Sequence, residues 1–89
     1  YGMGSTDYGR AFRDLDHLAR HGIDRRTTLI ILGDARNNNG DAEAALLHQF
    51  HDRARQVIWL NPETRNRWGS GDSEMLRYLP ACTQAHSCR

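Results

Sequence analysis

Thr27-Thr28-Leu29-Ile30-Ile31-Leu32-Gly33-Asp34-Ala35-Arg36-Asn37-Asn38-Asn39 is the stretch whose reading decides the fold. An apolar run, Leu29 to Leu32, stops at Gly33-Asp34 and gives way to polar, turn-forming residues. Short apolar runs bounded by turn signals read as strands covered on both faces, as in the parallel sheet of an α/β protein. Ligands of such sheets gather outside the carboxyl ends of the strands. Asp34 falls at one of those ends, with Arg36 as the nearby neutralising charge. A carboxylate there either caps its turn or meets a metal, a phosphate or a partner.

Working outward, Ser5, Thr6 or Asp7 supplies an N-cap for a helix running to about His21. Tyr8, Phe12, Leu15, Leu18 and Ala19 keep helical spacing and form its buried stripe, and Gly22 stands where a C′ glycine belongs. A strand follows at about Thr28–Gly33. A second helix, about Asp41 to Ala54, is capped by Asp41 and buries Leu46, Leu47, Phe50 and Ala54. Val57-Ile58-Trp59-Leu60, closed by Asn61-Pro62, reads as a second strand, and Asp72 or Ser73 opens a short helix through Tyr78. The last nine residues look irregular. Helix, strand, helix, strand and short helix with brief connections is the order of a doubly wound, Rossmann-like parallel sheet. Such sheets have about five or six strands, so the 89 residues are expected to be one partial domain, the interior of a longer protein.

Composition narrows the function classes. The hydrophobic share of 38% is lean for an independent core, and a formal net charge of +1 gives no bulk electrostatic case for nucleic acid or an anionic membrane. All 12 cationic residues are Arg, which a codon bias explains as well as any pairing role. No apolar stretch approaches the roughly 18–20 residues of a bilayer span, and Tyr1-Gly2-Met3-Gly4 does not read as a signal peptide. Cys82 and Cys88 form one close pair in an otherwise cysteine-free chain. A reducing, cytoplasmic setting with free thiols is therefore expected.

Several constellations are set aside. Cys82, His86 and Cys88 offer three possible zinc ligands, but no fourth is evident. His17 with His21, and His48 with His51, share helix faces and read as solvated. Trp68, within Arg65-Asn66-Arg67-Trp68-Gly69, is expected to anchor its loop against the sheet edge. Gly69-Ser70-Gly71 has no following Lys-Ser/Thr, and Gly-x-Ser-x-Gly does not occur. The enzymatic alternative is a phosphoryl-transfer or hydrolase site with Asp34 as nucleophile. It would need an acid two residues on, where Arg36 stands.

Read together, two segments, Gly4-Ser5-Thr6-Asp7-Tyr8-Gly9-Arg10-Ala11-Phe12 and Ile31-Leu32-Gly33-Asp34-Ala35-Arg36-Asn37-Asn38, resemble the second and third metal-site segments of a von Willebrand factor type A domain. Val57–Glu63, Trp68-Gly69, Gly71–Met75 and Tyr78-Leu79-Pro80 resemble one branch of that family, the CoxE-like bacterial proteins. The resemblance implies a Rossmann-like fold and a metal-ion-dependent adhesion site for Mg²⁺ or Mn²⁺, with no catalytic role. Thr6 and Asp34 would be the second-loop and third-loop ligands, and Asn37 and Asn38 would shape the partner-binding loop. The Asp-x-Ser-x-Ser segment that supplies the remaining ligands is absent from these residues and is expected upstream. The complete domain is thus expected to bind the cation, and this chain alone to hold it poorly. The implied partners are a protein client and a MoxR-type AAA+ ATPase. Self-association through an exposed sheet edge is a further expectation.

Overall fold

A computed structural model describes residues 8–18, 22–36, 42–69, 71 and 73–87. In chain order these form α1 (Tyr8–Leu18), β1 (Thr28–Leu32), α2 (Ala44–Arg53), β2 (Gln56–Asn61), α3 (Met75–Tyr78) and β3 (Gln84–Ser87). Short 3₁₀ turns occupy Arg65–Arg67 and Leu79–Ala81. The strands make one parallel sheet in the order β1-β2-β3, with Ile30 opposite Ile58 and Trp59 opposite Ala85. The α/β class and the parallel sheet read from the sequence are what the structure has.

Register decides which side chains share a face, because side chains alternate along a strand. Leu29 and Ile31 of β1, Val57, Trp59 and Asn61 of β2 and Ala85 of β3 turn to the helices. An aromatic cluster fills the space between. Trp59 and Tyr78 stack at 5.0 Å with 17° between planes, and Phe12 meets Phe50, Trp59 and Tyr78 edge-on. Leu47, Met75 and Ala81 complete this layer, all fully buried.

The expectation that the sheet is covered on both faces is corrected. Thr28, Ile30 and Leu32 of β1 lie on the face away from the helices, where Ile30 is 56% and Leu32 65% exposed. The cause is topological. A parallel sheet that grows in one direction through same-handed crossovers sets every crossover helix on one face. The second face is covered when another half winds the opposite way, and the described residues add strands in one direction only.

Other boundaries shift as well. The first strand ends at Leu32, and α1 is described to Leu18, which is 81% exposed although it fits the apolar stripe. The second helix begins at Ala44, behind a left-handed Glu43 (φ 53°). The proposed caps Asp41 and Asp72 lie outside the described residues, and the N-cap of α3 is Glu74 rather than Ser73, whose hydroxyl accepts from Met75 N at 3.3 Å from one residue further back. The tail read as irregular carries a 3₁₀ turn and β3. Gln84-Ala85-His86-Ser87 has no apolar run to announce a strand. It is held by pairing with β2 and by Thr83, whose N–H and hydroxyl bond the backbone of Val57 at 2.7 and 2.9 Å.

Candidate functional site

Because all the strands run parallel, their carboxyl ends deliver Gly33-Asp34, Asn61 to Glu63 and Ser87 to one edge of the sheet. The loop after β1 is fixed there from three sides. The Gly33 carbonyl accepts the Trp59 indole N–H at 2.8 Å, and Gly33 N donates to Leu60 O at 3.1 Å. Ala35, fully buried, takes the left-handed conformation (φ 63°), which is unfavourable for a residue with a Cβ. Both its backbone groups are satisfied, the N–H by the Tyr8 hydroxyl at 3.1 Å and the carbonyl by Glu74 N at 2.7 Å.

Asp34 is half-buried, and its Oδ1 accepts two donors. Arg36 N lies 3.0 Å away, closing an Asx turn, and the Tyr8 hydroxyl lies at a longer 3.4 Å. Oδ2 takes no hydrogen bond from a described residue. Asp34 therefore caps its turn with one oxygen, which is the turn-capping reading of the sequence. Tyr8 acts as donor because its hydroxyl stays protonated. Burial, reinforced by the Asp34 charge, pushes its pKa up to about 12, although the Ala35 N–H opposes the shift.

The Arg36 guanidinium does not face Asp34 as sequence proximity implied. It grips Glu63 bidentately, Nε to Oε2 at 2.8 Å and Nη2 to Oε1 at 2.7 Å, with both side chains about three-quarters buried. Glu63 is in turn the hub of the edge. Its N–H donates to Asn61 Oδ1 at 2.8 Å, and its carbonyl accepts both Trp68 Nε1 at 3.0 Å and Ser87 Oγ at 2.9 Å. Trp68 anchors its loop as expected, with Arg65 lying over its ring at 4.7 Å. Asn61 is fully buried, and its Nδ2 has no hydrogen-bond partner among the described residues. Beside these residues Leu32, Gly33, Leu60 and Pro62 line a shallow apolar depression.

Of the residues proposed for the site, only Asp34 is described; Thr6, Asn37 and Asn38 lie outside the described residues, as does Cys88. Among the described residues, no three His, Cys, Asp or Glu side chains gather in a way that would hold a metal. Asp34 itself suits a hard divalent cation, since one of its carboxylate oxygens is uncommitted at the strand end. Tyr8 and Glu63 were missed as site residues. Tyr8 reads as a stripe residue of α1, and nothing in its spacing shows that its hydroxyl reaches across 26 positions to Asp34. His86 bonds Gln84 Oε1 at 2.9 Å, and the half-buried Cys82 thiol donates to Tyr78 O at 3.3 Å.

Helices on one face of a parallel sheet, with a carboxylate at its C-terminal edge, make up part of a Rossmann-like α/β fold. The comparisons go further. The chain belongs to the family described as VWA domain containing CoxE-like protein, whose model matches residues 2–89. Comparison with curated proteins and with solved structures returned no match. No helix among the described residues is long and apolar enough to cross a membrane.

Proposed function

We propose that this chain is the C-terminal part of a metal-ion-dependent protein-binding module, a cytoplasmic bacterial protein that acts with a MoxR-type AAA+ ATPase in metalloenzyme maturation or complex assembly. One observation carries the reading: Asp34 stands at the strand end with Oδ1 held by internal donors and no described residue bonding Oδ2. That is how a protein presents a ligand to a cation rather than closing an ion pair. Membership of the family supports it. A bound Mg²⁺ or Mn²⁺ would supply a coordination position for an acidic group of the partner. Asp34 and Thr6 would hold the ion, while Asn37 and Asn38 would shape the loop beside it. The Tyr8 hydroxyl and the Arg36–Glu63 pair keep the loop in place. The role is binding rather than turnover, because the acid that phosphoryl transfer needs two residues after Asp34 is an arginine already bound to Glu63. The outer edge of β1 also offers a second copy a place to pair.

The test is binding of the MoxR-type ATPase, and of proteins that co-purify with it, to wild type and Asp34→Ala in Mg²⁺ and in EDTA. The expected result is binding that needs both Mg²⁺ and Asp34. Partner affinity unchanged in Asp34→Ala with Mg²⁺ present would remove Asp34 from the site.

A further inference from the structure

We infer that the amino edge of the sheet is an interaction surface in its own right, on which Arg25, Arg26 and Arg55 take an acidic segment of a protein partner. β1, five residues long, separates this edge from Asp34 by about 16 Å. The surface therefore stands apart from the carboxyl-end site and owes nothing to a metal there.

The local sequence builds it. Asp24-Arg25-Arg26-Thr27 closes a tight turn before β1, with Thr27 N bonded to Asp24 O at 2.9 Å. Asp24 Oδ1 accepts Arg26 N at 2.8 Å, and the Thr27 hydroxyl donates to Gly22 O at 3.0 Å. The Asp24 carboxylate thus serves the backbone of its own turn and pairs with no guanidinium among the described residues. Arg25 and Arg26 are the two central residues of the turn, and both are exposed. Arg55, also exposed, lies in the connection from α2 to β2, and its N–H donates to Thr27 O at 2.8 Å. Three arginines from two connections therefore share one edge on a backbone fixed by hydrogen bonds.

Their distinguishing property is that they are unspent. Arg13 pairs with Glu43, Arg36 with Glu63, Arg53 with Asp16 and Arg77 with Glu74, while Arg65 bonds Ala85 O and covers Trp68. The guanidiniums of Arg25, Arg26 and Arg55 have no partner among the described residues. Each offers five donors in a planar fork that matches a carboxylate bidentately. Charge of one sign on a fixed backbone steers an oppositely charged partner and sets its register. A nucleic acid is the poorer fit. Asp24 stands within the patch and would face a phosphate chain, and a net charge of +1 leaves no wider basic field to track one. Every aromatic side chain among the described residues is buried, so no ring is offered for a base to stack on. A short run of Asp and Glu fits.

The experiment uses the full polypeptide in which these residues occur. Fluorescence anisotropy at low ionic strength reads its affinity for a labelled hexaglutamate peptide and for a hexathymidylate. The variants are Arg25→Gln/Arg26→Gln/Arg55→Gln and a control, Arg10→Gln/Arg67→Gln/Arg77→Gln, which removes the same charge elsewhere. The edge variant is expected to weaken peptide binding about tenfold or more, and the control less than about threefold, since single exposed pairs contribute little and three act together. Equal losses in the two variants would show a response to overall charge and overturn the inference. Absence of peptide binding by wild type would do the same, as would an edge variant that loses the oligonucleotide but keeps the peptide. A reading on wild type guards against a variant that fails to fold. Phenylglyoxal labelling mapped by mass spectrometry should show Arg25, Arg26 and Arg55 protected by the peptide and Arg77 unprotected. Labelling of the three edge arginines that the peptide leaves unchanged would refute their role.

Discussion

Gly33→Ala tests the loop after β1 most directly. The backbone at Gly33 is not left-handed, so alanine is admissible there and would by itself stabilise by about 0.4–1 kcal/mol through the unfolded chain. Space decides the outcome instead. A Cβ at position 33 would lie 2.1 Å from Tyr8 Oη and 3.0 Å from Cζ. Tyr8 is only 6% exposed and is wedged among three aromatic rings, so the clash must be relieved by moving the ring or the strand end. Overpacking of this kind costs about 1–3 kcal/mol. Displacing Oη also orphans the buried Ala35 N–H, for about 1–3 kcal/mol more. The net expectation is a loss of roughly 2–4 kcal/mol, or roughly 10–25 °C in Tm for a domain of this size. Urea unfolding followed by the fluorescence of Trp59 and Trp68 reads the change as a shift in midpoint at constant slope. A second arm places Gly33→Ala in a Tyr8→Phe background. With the hydroxyl gone, the added methyl should cost about 1–2 kcal/mol less than in wild type. A loss below about 1 kcal/mol, or strict additivity of the two substitutions, would refute the close approach of Tyr8 to Gly33.

The remaining predictions concern the sheet edge, the thiol and the two sheet faces. Glu63→Gln is expected to cost about 1–2 kcal/mol, because it weakens a mostly buried bidentate pair. Gln in place of Arg77, whose 3.3 Å pair with Glu74 is exposed, should cost under about 0.5 kcal/mol in the same urea assay. Burial pushes the Cys82 thiol from 9.0 up to about 11, so in a Cys88→Ser background its alkylation at pH 8 should be on the order of 100-fold slower than that of an exposed cysteine. Between pH 9 and 11 the native thiol keeps a proton that the unfolded chain has lost. Stability should therefore fall as pH rises through that window, and Cys82→Ala should flatten the fall. Phe50→Ala should cost about 3–5 kcal/mol, while Leu32→Lys on the open face should stay within about 0.5 kcal/mol. Comparable losses at both positions would mean that the exposed face is covered after all.

Much of the fold was legible because its signals are local. Apolar runs ended by Gly33-Asp34 and Asn61-Pro62, together with helical spacing around Phe12 and Phe50, suffice for β1, β2, α1 and α2. The parts that were not legible depend on partners distant in sequence. β3 is polar and exists through pairing with β2. Whether Ile30 and Leu32 are covered depends on the direction in which the sheet grows, which an apolar run does not encode. Asp34 was placed just past the end of β1 because a strand-end carboxylate is itself a sequence feature. Its immediate surroundings were misread because Arg36 is two residues from Asp34 and 27 from Glu63, yet its guanidinium pairs with the distant residue. Tyr8 has two roles, a ring in the core and a hydroxyl at the site, and spacing along a helix reports only the first.

The convergence on Glu63 has a consequence for how such a module changes over time. Its carboxylate holds the loop after β1, its N–H the end of β2, and its carbonyl both Trp68 and the end of β3. One residue thus sets a common length standard for all three strand-end loops. An insertion in any of them alters the reach of the others, so natural length variants should be rare within these loops unless they arise in concert. A laboratory library built to retarget the edge should keep Glu63, Arg36 and Ser87 fixed and randomise side chains at constant loop length. Libraries that vary length instead should return few folded members, because they would separate strand ends that are joined through a single amino acid.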